Sequence, residues 1–243
     1  MPPFASRLRA ASAALADLER WLLPPACLLC DAPIPARESD ALVCGVCVTR
    51  WRRLPDPLCA RCGQPRVPEV ECRICAGWPP GLERVRSAVW LEGGARRAAH
   101  QLKYGGWIRI AEPMAGAMTS LEPLTGRVCL IPIPLGGRRL EERGYNQSER
   151  LAAALAERID GVVRPDLLRR ARDTRTQTAL TPEARQANVA GAFVARGRPP
   201  APAVLVDDVF TTGATLGAAA AALRAAGAGR IEAVTFARAG ELV

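Results

Sequence analysis

The chain of 243 residues carries 33 basic against 24 acidic side chains, a net charge of +9, and is 49% hydrophobic but only 5% aromatic. That apolar content excludes an intrinsically disordered chain, and so few rings argue against an RNA-binding sheet built on stacked aromatics. Apolar runs fall short of the ~20 residues that cross a bilayer. Arg7, Arg9, Asp17, Glu19 and Arg20 interrupt any export signal, so a cytoplasmic protein without membrane insertion is expected.

In chain order, residues 6–22 read as a short helix with Leu8, Leu15, Leu18 and Leu22 on one face, stopped by Pro24-Pro25. Residues 26–80 are rich in Pro, Cys and Arg and lack periodicity. A strand is expected over 85–91, helices over 95–102 and 107–121, a buried strand over 128–131 and an Ala/Leu helix over 148–159. A second buried strand over 203–206, a helix over 216–226 and a last strand over 231–236 complete the pattern. Apolar strands alternating with helices predict an α/β domain with a parallel sheet covered on both faces. The expected division is an N-terminal helix (1–25), a cysteine module (26–80) and the α/β domain (81–243), the last able to fold without the rest.

Eight of nine cysteines form four C-x-x-C pairs: Cys27-Cys30, Cys44-Cys47, Cys59-Cys62 and Cys72-Cys75. At this density in a reducing compartment, thiols read as metal ligands rather than disulfides. Two such turns close a tetrahedral four-sulfur Zn²⁺ site, and Gly63 and Gly45 suit the positive φ that aims N–H groups at thiolates. Successive pairing into Cys27/Cys30/Cys44/Cys47 and Cys59/Cys62/Cys72/Cys75, a tandem zinc ribbon, is favoured over an interleaved cross-brace, which the spacing leaves open. With four thiolates each, both sites are expected to be structural, having no open position for water. Cys129 is isolated and expected in the core, and His100, the single histidine, has no nucleophile beside it.

Basic residues are unevenly spread. Of 33, only Lys103 is lysine. Arg138, Arg139, Arg143, Arg169, Arg170, Arg172, Arg175 and Arg185 crowd two segments expected to be loops, suiting an anionic ligand such as a phosphate or a nucleic-acid backbone.

The most informative stretch ends a buried strand with Asp207-Asp208 and opens a helix through Thr211-Thr212-Gly213-Ala214-Thr215. At the carboxyl edge of a parallel sheet this turn offers successive N–H groups and hydroxyls to a phosphate, reinforced by the helix N-terminus. The paired acids one step away suit a sugar diol and Mg²⁺. The stretch resembles the 5-phosphoribosyl-1-pyrophosphate (PRPP) motif of type I phosphoribosyltransferases. The chain as a whole resembles the ComF family, competence-associated proteins that join a zinc ribbon to a phosphoribosyltransferase-like domain. Leu102-Lys103-Tyr104-Gly105, Ile131-Pro132-Ile133-Pro134 with Arg138-Arg139, Arg143-Gly144-Tyr145-Asn146-Gln147 and Thr176-Gln177 carry that resemblance onward.

The resemblance implies that Asp207 and Asp208 hold the ribose hydroxyls of PRPP and that Thr211, Thr212, Gly213, Ala214 and Thr215 hold its 5-phosphate. Arg138 and Arg139 fall in the pyrophosphate loop. Residues 171–182, with Arg172 and Arg175, fall in a mobile loop over the ligand. It further implies Mg²⁺ with PRPP and a role in DNA uptake or single-stranded DNA handling, with DNA-uptake proteins as partners. A metabolic phosphoribosyltransferase with an unidentified acceptor is the alternative. A zinc-ribbon interaction protein that has lost the ligand is a third reading, against which the acid pair speaks.

Overall fold

The computed structural model describes residues 25–35, 38, 40–66, 71–78, 80–172, 189 and 191–240. The N-terminal helix expected over 6–22 and most of the expected mobile loop, Arg175 included, lie outside them, as does Arg185. The chain forms two compact units, Met1–Arg50 and Trp51–Val243. The unit border thus falls inside the cysteine module rather than at residue 80.

In the smaller unit, a knuckle closed by Cys27 N–H to the Ala32 carbonyl (2.8 Å) faces the short helix α1 (Gly45–Thr49). Its core is Cys27, Leu29, Ile34, Val43, Cys44 and Cys47. Gly45 therefore starts a helix instead of supplying a positive φ, whereas Gly63, in the larger unit, has φ +68°.

The larger unit is built on five parallel strands in the order β1-β7-β6-β2-β3, where β1 is Arg84–Trp90, β2 Val128–Pro132, β3 Gly161–Val163, β6 Ala203–Phe210 and β7 Ile231–Arg238. A separate antiparallel pair joins β4 (Leu168–Arg170) to β5 (Phe193–Ala195). Helices α2 (Gly93–Tyr104), α3 (Ala111–Met118) and α5 (Gln147–Ala156) pack on the sheet, as does α6 (Ala214–Ala225), which also contacts β5. Strand alternation divides the core between the two faces. Val85, Ile131, Leu205 and Ala233 meet Leu216, Ala220 and Leu223 of α6 in one apolar cluster.

β2 is buried at all five positions and β7 at all eight, which is why both were legible as apolar runs. β6 continues past the expected end at residue 206, so Asp207 and Asp208 lie within the strand. Residues 107–121 split into a 3₁₀ turn, Ile108–Ile110, and α3, which accepts Pro113 in its first turn where no N–H is needed. The arginine-rich segment expected as a loop forms a helix, α4 (Gly137–Arg143), closed by Gly144 in the left-handed region. With only Leu140 apolar, it has no hydrophobic stripe to announce it; an Arg138–Glu142 pair of 2.8 Å one turn apart supports it. Arg169 and Arg170 likewise sit on β4.

Candidate functional site

Between β2 and β6 the connections diverge: β2 leads through α4 and α5 to β3, and β6 leads through α6 to β7 on the other side. Such a switch point leaves a crevice at the carboxyl ends of the strands. A cleft of about 660 Å³ opens there, and Asp207, Asp208, Thr211 and Thr215 all line it. The acid pair and the two ends of the hydroxyl-rich turn thus share one cavity.

Asp208 is buried and its Oδ2 lies 2.6 Å from Lys103 Nζ, an ion pair that is short but not aligned as a hydrogen bond. Burial alone would lower the Lys103 ammonium, but Asp208, and then Asp207, hold it above its ordinary range. Asp207 Oδ1 accepts from Ser148 Oγ at 2.8 Å and from the Asp208 N–H at 2.9 Å. Burial first, then the neighbouring Asp208 charge, push Asp207 up to about 7, despite the opposing pull of Lys103 and these hydrogen bonds. A carboxyl poised there can donate or accept a hydrogen bond at neutral pH.

The turn is fixed from behind. Gly213 caps α6 with φ +81°, and a Cβ on it would collide with Cζ2 of Trp78, so glycine is required twice over. The Trp78 Nε1–H donates to the Thr212 carbonyl at 3.1 Å. Thr212, Gly213 and Ala214 therefore form the back of the turn, with Thr211 and Thr215 facing the cleft.

The opposite wall follows β2. Ile133, Pro134 and Leu135 line it, held by Asn146, whose Nδ2 donates to the Ile133 carbonyl at 3.0 Å while its Oδ1 caps α5 through the Ser148 N–H at 3.1 Å. Arg139 and Glu142 enter the lining, whereas Arg138, 83% exposed, is outside it and pairs with Glu142. Arg172 is exposed and does not line the cleft. Three further cations do: Lys103, Arg143 and Arg170. Arg143 stacks 5.2 Å over the ring of Tyr104, which is 69% exposed on the same wall. The Tyr145 hydroxyl instead donates to the Leu102 carbonyl. Lys103, Ser148 and Trp78 carry roles that motif reading did not give them. The available signal was Lys103 as the single lysine in an arginine-biased chain, standing where a compact ammonium meets a carboxylate. Cys129 is core of β2, and His100 is exposed on α2.

Each cysteine quartet converges: the four Sγ atoms of Cys27, Cys30, Cys44 and Cys47, and those of Cys59, Cys62, Cys72 and Cys75, lie within 4.8 Å of one another. Zn–S bonds of about 2.3 Å in a tetrahedron put sulfurs about 3.8 Å apart. Cys30–Cys44 at 3.8 Å, Cys59–Cys75 at 3.7 Å and Cys62–Cys72 at 3.4 Å are close to that spacing and far beyond a disulfide. The N–H groups of Leu29 and Cys44 point at Cys27 Sγ at 3.4 Å each. The sites are successive, all-thiolate and suited to structural zinc, which would neutralise thiolates that repel one another without it.

Residues 18–76 match the Double zinc ribbon domain family. Over 224 residues the chain is 31% identical to DNA utilization protein YhgH of Salmonella typhi, covering 86% of this chain and 95% of that one. It is 25% identical over 219 residues to Competence protein ComFC of Bacillus subtilis, covering 81% and 88%. A shorter match, 37% over 114 residues, joins it to Competence protein F of Haemophilus influenzae, covering 45% and 50%. With the cysteine quartets, the switch-point cleft and this near full-length kinship together, the chain belongs to the ComF family of competence-associated proteins.

Proposed function

We propose that the cleft binds PRPP with Mg²⁺ and that the protein serves DNA uptake or the handling of single-stranded DNA. One observation carries the first half: Asp207 and Asp208 share a cavity with Thr211 and Thr215 at the N-terminus of α6. The two carboxyls match a vicinal ribose diol, and the hydroxyls and backbone N–H groups of residues 211–215 match a terminal phosphate. Arg139 and Arg143, across from the acids, suit the pyrophosphate oxygens. Asp207 and Asp208 also offer carboxylate oxygens to Mg²⁺, which would supply charge neutralisation of the pyrophosphate. The names of the relatives, DNA utilization and competence, support the second half.

Calorimetric titration of PRPP with Mg²⁺ tests the ligand: binding by the parent and its loss in Asp207→Asn/Asp208→Asn are expected, and absence of heat in the parent refutes it. Gel shifts with single-stranded DNA test the role; affinity should fall as salt rises, because phosphate contacts release counterions. A transferase reading has its own support in Tyr104, an exposed ring on the cleft wall suited to stacking a base. Pyrophosphate release across a panel of nucleobases tests that reading.

A further inference from the structure

Arg238, at the end of β7, is fully buried, and among the described residues it makes no ion pair with a carboxylate. A guanidinium does not shed its proton, so its burial demands a negative partner. Its neighbours are the Gln64 Oε1 and the Cys62 carbonyl, both at 2.7 Å, and Cys62 Sγ at 3.9 Å. Cys62 belongs to the second quartet. Four neutral thiols offer no counter-charge, whereas four thiolates around Zn²⁺ carry a net double negative charge.

The same quartet reaches the phosphate turn by two routes. The Arg238 guanidinium stacks 4.2 Å over Phe210, the last residue of β6 before the turn. Trp78, three residues beyond Cys75, donates to Thr212, fills the space behind Gly213 and leans on Phe210 with ring centroids 5.8 Å apart. Arg61 ties ligand to ring, donating to the Cys75 carbonyl at 3.0 Å while stacked 5.5 Å over Trp78.

We propose that the second quartet, loaded with zinc, is the counter-ion of Arg238, and that Arg238 and Trp78 are positioning residues holding the 211–215 turn in its phosphate-binding shape. This rests on the phosphate reading of that turn. We assign no such duty to the first quartet, in the smaller unit.

Hydrogen exchange of residues 209–217, zinc release to a chelator and PRPP titration, all on the full zinc-loaded chain, test it. Trp78→Phe keeps a ring but loses the donor; turn exchange should quicken and PRPP affinity should fall by about fivefold, with zinc retained. Arg238→Gln should release the second zinc about tenfold faster, and Arg238→Lys, which keeps the charge, should largely restore it. Cys30→Ser in the first quartet should leave turn exchange unchanged. Unaltered turn exchange in Trp78→Phe, or unaltered zinc release in Arg238→Gln, overturns the proposal. If Arg238→Gln does not fold, a folded Arg238→Lys that releases the second zinc about tenfold or more faster than the parent overturns it equally. If the parent binds no PRPP, the ligand reading fails, while exchange and zinc release still judge the coupling.

Discussion

Replacing Lys103 with methionine keeps the side chain's length and removes its charge from a position 2.6 Å from Asp208 Oδ2. Asp208 has 3% of its side chain exposed, so water cannot take the ammonium's place without rearrangement. Breaking a buried pair on one side typically costs about 3–5 kcal/mol. We expect Lys103→Met to lose about 3–5 kcal/mol at pH 7. Urea denaturation of parent and variant measures the loss. A loss under about 1 kcal/mol, the scale of an exposed pair, refutes the buried pair as the element that holds Asp208.

Asp207, pushed up to about 7, should make the unliganded protein lose stability as pH climbs from about 4 to about 7. Asp207→Asn should flatten that slope and gain about 2–4 kcal/mol at pH 8 by urea denaturation, while abolishing PRPP binding; an unchanged slope contradicts the poised carboxyl. Gly213→Ala meets both a left-handed backbone and the Trp78 ring, and should cost about 2–4 kcal/mol. Gly144→Ala, at φ +78° with open space around it, should cost only about 1 kcal/mol, and equal losses would deny the Trp78 contact. Metal analysis should return about two zinc per chain, four thiolates to each ion; one or none contradicts the paired quartets. A chain of residues 51–243 should melt cooperatively with one zinc bound, whereas 81–243, stripped of Trp78 and the second quartet, should not; a cooperative melt of the latter denies their structural role.

How much of this was legible depended on the scale of the signal. The buried strands β2, β6 and β7 and the helix α5 carry their pattern locally, in runs such as Val204-Leu205-Val206 and Leu151-Ala152-Ala153-Ala154-Leu155. The C-x-x-C pairs and the Asp-Asp and Thr-Gly stretches were legible because the chemistry needs those residue types close in sequence. The three-residue strands β3, β4 and β5 are too short for periodicity to register. Helix α4 is held by the Arg138–Glu142 pair and a capping glycine rather than a stripe, so its arginines read as a loop. The unit border at Arg50 was hidden for another reason. It depends on contacts such as Arg238 with Cys62 and Trp78 with Thr212, between residues more than 130 positions apart. No local pattern announces these.

Function turns on what occupies the crevice between the ends of β2 and β6. A crystal structure of the full chain soaked with PRPP and Mg²⁺ reads it directly. We predict a terminal phosphate within hydrogen-bond reach of Thr211, Thr215 and the N–H groups of the turn, with ribose hydroxyls on Asp207 and Asp208. A sugar phosphate bound elsewhere, or a crevice left empty at saturating ligand, contradicts it.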